Sequence, residues 1–393
     1  MKPSDALIIG GGPAGSAAAI LLAKAGWQVT IVERKDFPRR KVCGEYLSAT
    51  NWPLLESLEI AEAFADLAGP PVRETAIFVG DKIARAPLPC PRDPSGLWGR
   101  ALSREHLDTL LLEQAVGLGV QLRQPARCVR VERAAAGFRC RIESLAGHES
   151  DDVPVAVAIA AHGSWDLGDL PTERHPATSR TGDLLAFKAH FHNSALPPGL
   201  MPLLSFADGY GGMAHCDGGR VSLSCCIRRG RLEMLSRQEG QSAGDAVLAH
   251  ILESCPVLRP VLEGAELADS WLSAGPIRPG IRRCYAGGVF VAGNAAGEAH
   301  PVVAEGISMA LQSAWLLTDR LIADSDERTV ARNYARAWRQ SFAPRIRAAA
   351  AIAHWAMCPR LVAATLPFLQ TWPKLLTFGA WLSGKSKLVV QPT

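Results

Sequence analysis

The run Gly10-Gly11-Gly12-Pro13-Ala14-Gly15 carries G-x-G-x-x-G on Gly10, Gly12 and Gly15. After a strand and before a helix, this spacing makes a phosphate cradle. Gly10 permits the tight turn, Gly12 lets backbone approach a pyrophosphate, and Gly15 lets helix pack close to strand. The helix is entered through Pro13 and Ala14, and its free N–H groups carry partial positive charge for the anion. Glu33, with Arg34 beside it, stands about twenty residues on, where a carboxylate accepts hydrogen bonds from a ribose diol. The pattern fits NAD and FAD equally.

The elements that must position these residues are predicted locally. Residues 5–9 form a short apolar run suited to a buried parallel strand. Ala17, Ile20, Leu21 and Ala25 fall on helical spacing before Gly26, and residues 28–33 form a second β-branched strand. Strand, helix and strand make one βαβ unit. Residues 69–99 read as turns and short strands, 103–116 as a helix with Ser103 at its cap, and 120–161 as successive strands. Alternation over 184–191 and 220–227 predicts an antiparallel sheet with a helix near 243–253. The end of the chain, 326–382, reads as helix cut into pieces by Pro359, Pro367 and Pro373, with a tail at 383–393.

A second glycine-rich segment follows a buried strand: Val289-Phe290-Val291-Ala292-Gly293-Asn294-Ala295-Ala296-Gly297, then His300-Pro301 and Glu305-Gly306-Ile307. With this segment the chain resembles the FAD-dependent family that joins single-component aromatic hydroxylases, flavin halogenases and geranylgeranyl-type reductases. The resemblance implies FAD as cofactor. In the family the strand ends in Gly-Asp, whose acid binds the ribityl chain; here Gly293 is followed by Asn294, whose amide also bonds a hydroxyl. It further implies that Pro301 and the helix start face the isoalloxazine, with N–H groups near Gly306 and Ile307 stabilising negative charge at N1/O2.

Other segments extend the likeness. Arg104-x-x-Leu107-Asp108 is similar to the family helix whose arginine contacts the cofactor, although alone it is an ordinary i,i+4 pair. Ala161-His162-Gly163-Ser164 stands where the family has Asp-Gly followed by Ser, and His162 receives no catalytic role. The loop Arg39-Arg40-Lys41-Val42-Cys43-Gly44-Glu45 places Arg40 and Lys41 for the FAD or for the phosphates of a nicotinamide donor. Cys43-Gly44 resembles the geranylgeranyl-reductase branch; Cys43 is either a thiol beside the flavin or a buried, inert one. The prenyl-cavity Tyr-x-Trp-x-Phe-Pro segment survives only as Tyr210 in Gly209-Tyr210-Gly211-Gly212. The halogenase Trp-Trp-Ile-Pro segment is missing, leaving Lys82 alone.

These features imply an NAD(P)H-dependent monooxygenase of secondary metabolism acting on a hydrophobic aromatic or polyketide-like small molecule. NADH or NADPH donates the electrons, Tyr210 and His300 orient or deprotonate substrate, and Glu305 assists. One alternative is a reductase of alkene or isoprenoid C=C bonds with Cys43 beside the flavin. Another is a flavin-binding protein without turnover.

The expected fold is α/β: a Rossmann-type FAD-binding domain (1–75, 100–180 and 276–325), an inserted antiparallel β-sheet substrate domain (76–99 and 181–275) and a C-terminal helical region (326–393). A net charge of +4 is too mild for a nucleic-acid partner. Ten cysteines without C-x-x-C or histidine-paired spacing predict neither metal nor disulfide framework. The apolar stretch 14–25 lacks a leading basic segment, so no signal peptide is read, and a cytoplasmic location is expected. The Trp-rich C-terminal helices read first as amphipathic packing on the main body, and second as a peripheral membrane contact.

Overall fold

The computed structural model describes residues 4–90, 97–147, 149–164, 170, 179–235 and 240–385. Most of the tail expected at 383–393 therefore lies outside the described residues.

The first sheet is built on strand Ser4–Ile9, flanked in parallel by Val29–Val32 and Ser150–Ala160. Gln121–Arg123 and Val289–Val291 extend it on either side, also in parallel. Val29–Val32 is buried at every residue, as a strand covered on both faces must be, and its β-branched side chains suit the pleat. Helix Pro13–Lys24 crosses between the first two strands. It is buried almost all round because helices Arg104–Gly117 and Gly306–Ala323 pack against it. An antiparallel meander of Ala126–Arg133 and Phe138–Ser144 joins Ser150–Ala160. This is a Rossmann-type unit with the expected βαβ start.

The second sheet runs Glu266–Leu267, Leu184–His192, Val221–Arg228, Gly209–His215, Leu200–Phe206, Glu74–Val79, Lys82–Pro87, with Leu272–Ile277 also paired to Leu184–His192. It is antiparallel except at one place: Leu200–Phe206 runs parallel to Glu74–Val79. That hairpin comes from the proline-rich stretch and brings an early part of the chain to a sheet otherwise made much later.

The C-terminal region contains helices Glu327–Ala356, Pro359–Thr371 and Lys374–Ala380. Pro359 and Pro373 do mark breaks, but Pro367 lies inside a helix, contrary to expectation. A proline costs an internal helix one hydrogen bond. Here Val362 and Leu366 on the same helix are fully buried against Ile77, Val79 and Ala84 of the hairpin, and this packing keeps the helix running.

Candidate functional site

One cavity of about 770 Å³ runs from the first glycine turn, across the joint between the sheets, to the C-terminal helices. It falls within the range of about 300–1,000 Å³ typical of ligand pockets.

At its polar end the three cradle glycines do different work. Gly10 has φ +108, and a Cβ there would lie 2.6 Å from the Ala161 carbonyl oxygen; a Cβ on Gly15 would collide with the Gly10 carbonyl. A Cβ on Gly12 meets no backbone: the nearest atoms are guanidinium nitrogens of Arg39 at 3.8 Å and Arg104 at 3.9 Å. Two guanidinium groups thus converge on the space in front of Gly12, at the start of a helix with no acid in its first turn. Arg39 Nε is buried with no hydrogen-bond partner among the described residues. Arg104 is oriented by a bidentate pair of 2.6 and 2.7 Å to buried Asp108. Lys41 also lines the cavity. Burial, then the charges of Arg104 and Arg39, lower its ammonium to about 8. A pyrophosphate fits this space: Arg39, Lys41 and Arg104 outnumber the two carboxylates beside them, Glu33 and Asp108, which lie 3.7 and 3.8 Å from the Arg39 guanidinium, and the helix start offers free N–H groups.

Glu33 closes the turn, with Oε2 accepting Gly11 N–H at 2.8 Å and Oε1 accepting Lys35 N–H at 2.9 Å. It lines the cavity with Arg34, Cys128 and Val129, in position for a ribose. Arg40 differs from expectation. It lines the cavity, but its guanidinium donates to the Ser270 carbonyl at 3.0 Å and pairs with Asp269 at 3.5 Å, which ties the loop to the second sheet's side. Its neighbour Arg39 faces the cradle instead.

Further along, Asn294 donates to Glu298 Oε1 at 3.2 Å and lies 3.4 Å from Ser164 Oγ, which itself donates to Glu298 Oε2 at 2.9 Å. Asn294, Ser164 and Glu298 all line the cavity. Burial pushes the Glu298 carboxyl up, against the pull of Arg282. A carboxyl therefore stands beside the polar cleft although position 294 is an amide. The sequence reading missed Glu298, whose one signal is an acid four residues after Asn294.

Gly44, Gly293, Pro301, Gly306 and Ile307 line the cavity as expected. Gly297 does not; a Cβ there would strike the Trp338 ring, so it is a packing glycine like Gly15. Glu305 is also absent from the wall. It is buried, with Oε1 accepting Lys385 Nζ at 3.1 Å and Oε2 facing Ser48 Oγ at 3.5 Å. The short turn Pro301–Val303 and left-handed Ala304 (φ +52) precede it, and it lies outside the cavity wall.

His300 stands behind the wall, its Nδ1 3.4 Å from the Tyr210 hydroxyl. Burial, with His354 and Arg228 nearby, lowers it to about 4, so it is neutral at pH 7 and too weak a base for the deprotonation expected of it. Burial likewise pushes the Tyr210 phenol well above its ordinary value. Tyr210 lines the cavity and presents a neutral hydroxyl at pH 7.

An unpredicted network ties the loop at Glu45 and the start of helix Arg104–Gly117 to strand Leu184–His192 of the second sheet. Glu45, at φ +62 and fully buried, accepts from Lys188 Nζ, from Arg104 N–H at 3.0 Å and from His190 Nε2 at 2.8 Å. Its own N–H reaches Cys43 Sγ at 3.4 Å. Cys43 lines the cavity, but its sulfur is engaged by this loop and by the Arg104 side chain.

The geometry defines a dinucleotide cleft continuous with an apolar chamber. The family model described as "FAD binding domain" matches residues 3–335, and the chain belongs to this flavin-dependent class of oxidoreductases. A menaquinone reductase of Mycobacterium tuberculosis is 30% identical over 161 residues, covering 41% of this chain and 38% of that protein. The match thus spans about two fifths of that relative's length. Among solved structures, the myxobacterial chondrochloren halogenase CndH superposes with TM-score 0.75 at 21% identity, covering 87% of this chain and 80% of that one. Pseudomonas aeruginosa PqsL, solved with 2-aminobenzoylacetate, gives TM-score 0.70 at 17% identity, covering 95% and 100%. At these identities the two structures establish the fold. FAD supplies redox chemistry once bound, and Gly12, Glu33, Arg39, Lys41 and Arg104 are the residues that would hold it.

The Lys41 ammonium carries a pH prediction. An anion beside it restores its proton, so FAD binding takes up a proton where free Lys41 is partly neutral. Affinity for FAD therefore falls as pH rises above about 8, approaching tenfold per pH unit. Titrating the FAD-free protein from pH 7 to 9.5 should show this slope, and Lys41→Met should flatten it.

Proposed function

We propose that the protein is an FAD-dependent monooxygenase that takes electrons from NADH or NADPH and hydroxylates a hydrophobic aromatic or polyketide-like molecule. The observation that carries this reading is the chamber beyond the flavin end of the cleft. Leu203, Tyr210, Met213, Cys226, Trp355 and Leu376 wall it. Two titratable groups of this wall are poor proton donors: Tyr210 is raised well above its usual value by burial, and Cys226 is pushed up to about 12, while the raised Glu298 carboxyl is bonded to Ser164 and Asn294 on the polar side of the cavity. Reduction of a C=C bond needs a hydride and a proton delivered to carbon, whereas oxygen transfer needs a dry, apolar pocket that orients an electron-rich ring. Cys43, the thiol that the reductase alternative sets beside the flavin, lines the cavity with its sulfur accepting from Glu45 N–H at 3.4 Å. Lys82, the lysine of the halogenase reading, lies exposed on the hairpin and outside the cavity.

The reaction balances as substrate C–H, O2, NAD(P)H and a proton giving substrate C–OH, NAD(P)+ and water. In it the protein's own residues bind the pyrophosphate, orient the ring through the Tyr210 hydroxyl and exclude water. The test is product mass after turnover of a panel of hydrophobic phenols under labelled oxygen. Gain of one labelled oxygen atom supports the reading. Gain of two hydrogens with no label transfers it to the reductase.

A further inference from the structure

We propose that the C-terminal helices form a docking face for an anionic lipid surface, and that the apolar chamber opens beneath it. The second half of this inference rests on the substrate reading above; the first does not.

Phe368, Trp372, Leu375, Phe378, Trp381 and Leu382 are each between 42% and 59% exposed on one short stretch of chain. They are ordered rather than scattered: Phe368 stacks on Trp372 with centroids 6.0 Å apart, and Phe378 on Trp381 at 5.6 Å. Scattered exposed hydrophobics need no explanation, but contiguous aromatic ones do. Beneath them, buried Val362 and Leu366 fix the first of these helices to the hairpin. The outward face is thus held by its own inward packing.

Charge selects the occupant. From Arg328 to the end of the chain there is no Asp or Glu, while Arg and Lys recur throughout, including exposed Arg360 and Lys374 on the helices themselves. A second copy would bring the same cations against these, whereas anionic headgroups complement them. Among the described residues no single helix is long and apolar enough to cross a membrane. Helices Glu327–Ala356 and Pro359–Thr371 qualify only as a pair, bent by 104°. An amphipathic element lying in the interface matches that geometry.

The same short helix that exposes Leu375 and Phe378 lines the cavity with Leu375, Leu376, Gly379 and Ala380. A lipophilic substrate dissolved in the bilayer would reach the chamber past this helix without crossing water.

The experiment is co-sedimentation of the FAD-bound full chain with phosphatidylglycerol–phosphatidylethanolamine vesicles and with phosphatidylcholine vesicles. The parent should sediment with the anionic vesicles, more weakly with the neutral ones, and less as salt rises. Phe368→Ser/Trp372→Ser/Trp381→Ser should reduce binding at least tenfold while FAD content and far-ultraviolet circular dichroism stay unchanged. A parent that remains in the supernatant, or a triple variant that binds as well as the parent, overturns the proposal. A dimer seen by light scattering that the triple variant dissolves also overturns it, assigning the face to a second copy. Turnover of a short-chain, water-soluble phenol reads oxygenation separately, so failure of one inference is distinguishable from failure of the other.

Discussion

Gly12→Val folds like the parent and loses FAD. Gly12 has φ −77, an angle any residue adopts, and a Cβ there meets no backbone. It projects instead between the guanidinium groups of Arg39 and Arg104, into the space a pyrophosphate must occupy. Affinity for FAD should fall about 100-fold or more, or about 2.8 kcal/mol at roughly 1.4 kcal/mol per decade. Thermal unfolding of the FAD-free protein should stay within a degree or two. Gly15→Val provides the contrast: its Cβ collides with the Gly10 carbonyl, so it should fail as a fold before it fails as a binder. Equilibrium dialysis and apoprotein melting on both variants separate these effects. A Gly12→Val protein that keeps parental affinity would place the pyrophosphate elsewhere.

Glu45→Ala is the second large effect, and it acts on stability. Lys188 and His190 are 1% exposed, and Glu45 is their carboxylate partner. Removing one member of a buried ion pair leaves an uncompensated charge and costs about 3–5 kcal/mol. Glu45→Gln/Lys188→Met should recover much of that loss, because the stranded ammonium is gone. The pH dependence has a definite sign. Burial alone would raise the Glu45 carboxyl, but the His190 hydrogen bond and the Lys188 charge outweigh it and bring it from 4.5 to about 2. A carboxyl depressed on folding contributes fully above its unfolded value and loses that contribution as pH falls through the folded one. The parent should therefore lose about 3 kcal/mol between about pH 4.5 and 2 from this group. The double variant should lose less over that window, as read by urea unfolding. Glu45→Ala should also loosen the Cys43–Glu45 loop and raise FAD dissociation.

The features legible in the sequence are local ones. The G-x-G-x-x-G turn was readable because strand, turn and helix are contiguous, whereas Arg104 stood out only through the family resemblance, its pairing with Asp108 one helical turn away being ordinary by itself. The sequence pointed to Arg40 and passed over Arg39: neighbours on an irregular loop point to different sides, and only the fold turns Arg39 to the cradle and Arg40 to Ser270. His300 and Glu305 are next to cavity-lining Pro301 and Gly306, yet both lie outside the cavity wall, on either side of a tight turn and a left-handed Ala304. The Glu45 network had no sequence signal at all, since its side chains are 143 and 145 residues apart. The parallel strand pair inside the otherwise antiparallel sheet was hidden for the same reason: strand direction depends on long-range pairing, and alternation reports only which side is buried.

The central claim is that this chain couples flavin oxidation to oxygen transfer in a dry chamber, and an anaerobic single turnover tests it most directly. The FAD-bound protein is reduced by NADPH without oxygen in the presence of a hydrophobic phenol, and the mixture is divided before oxygen is admitted to one half. The account predicts unchanged substrate in the anaerobic half and up to one hydroxylated product per flavin in the other. Hydrogenated product in the anaerobic half would contradict it and make the protein a reductase.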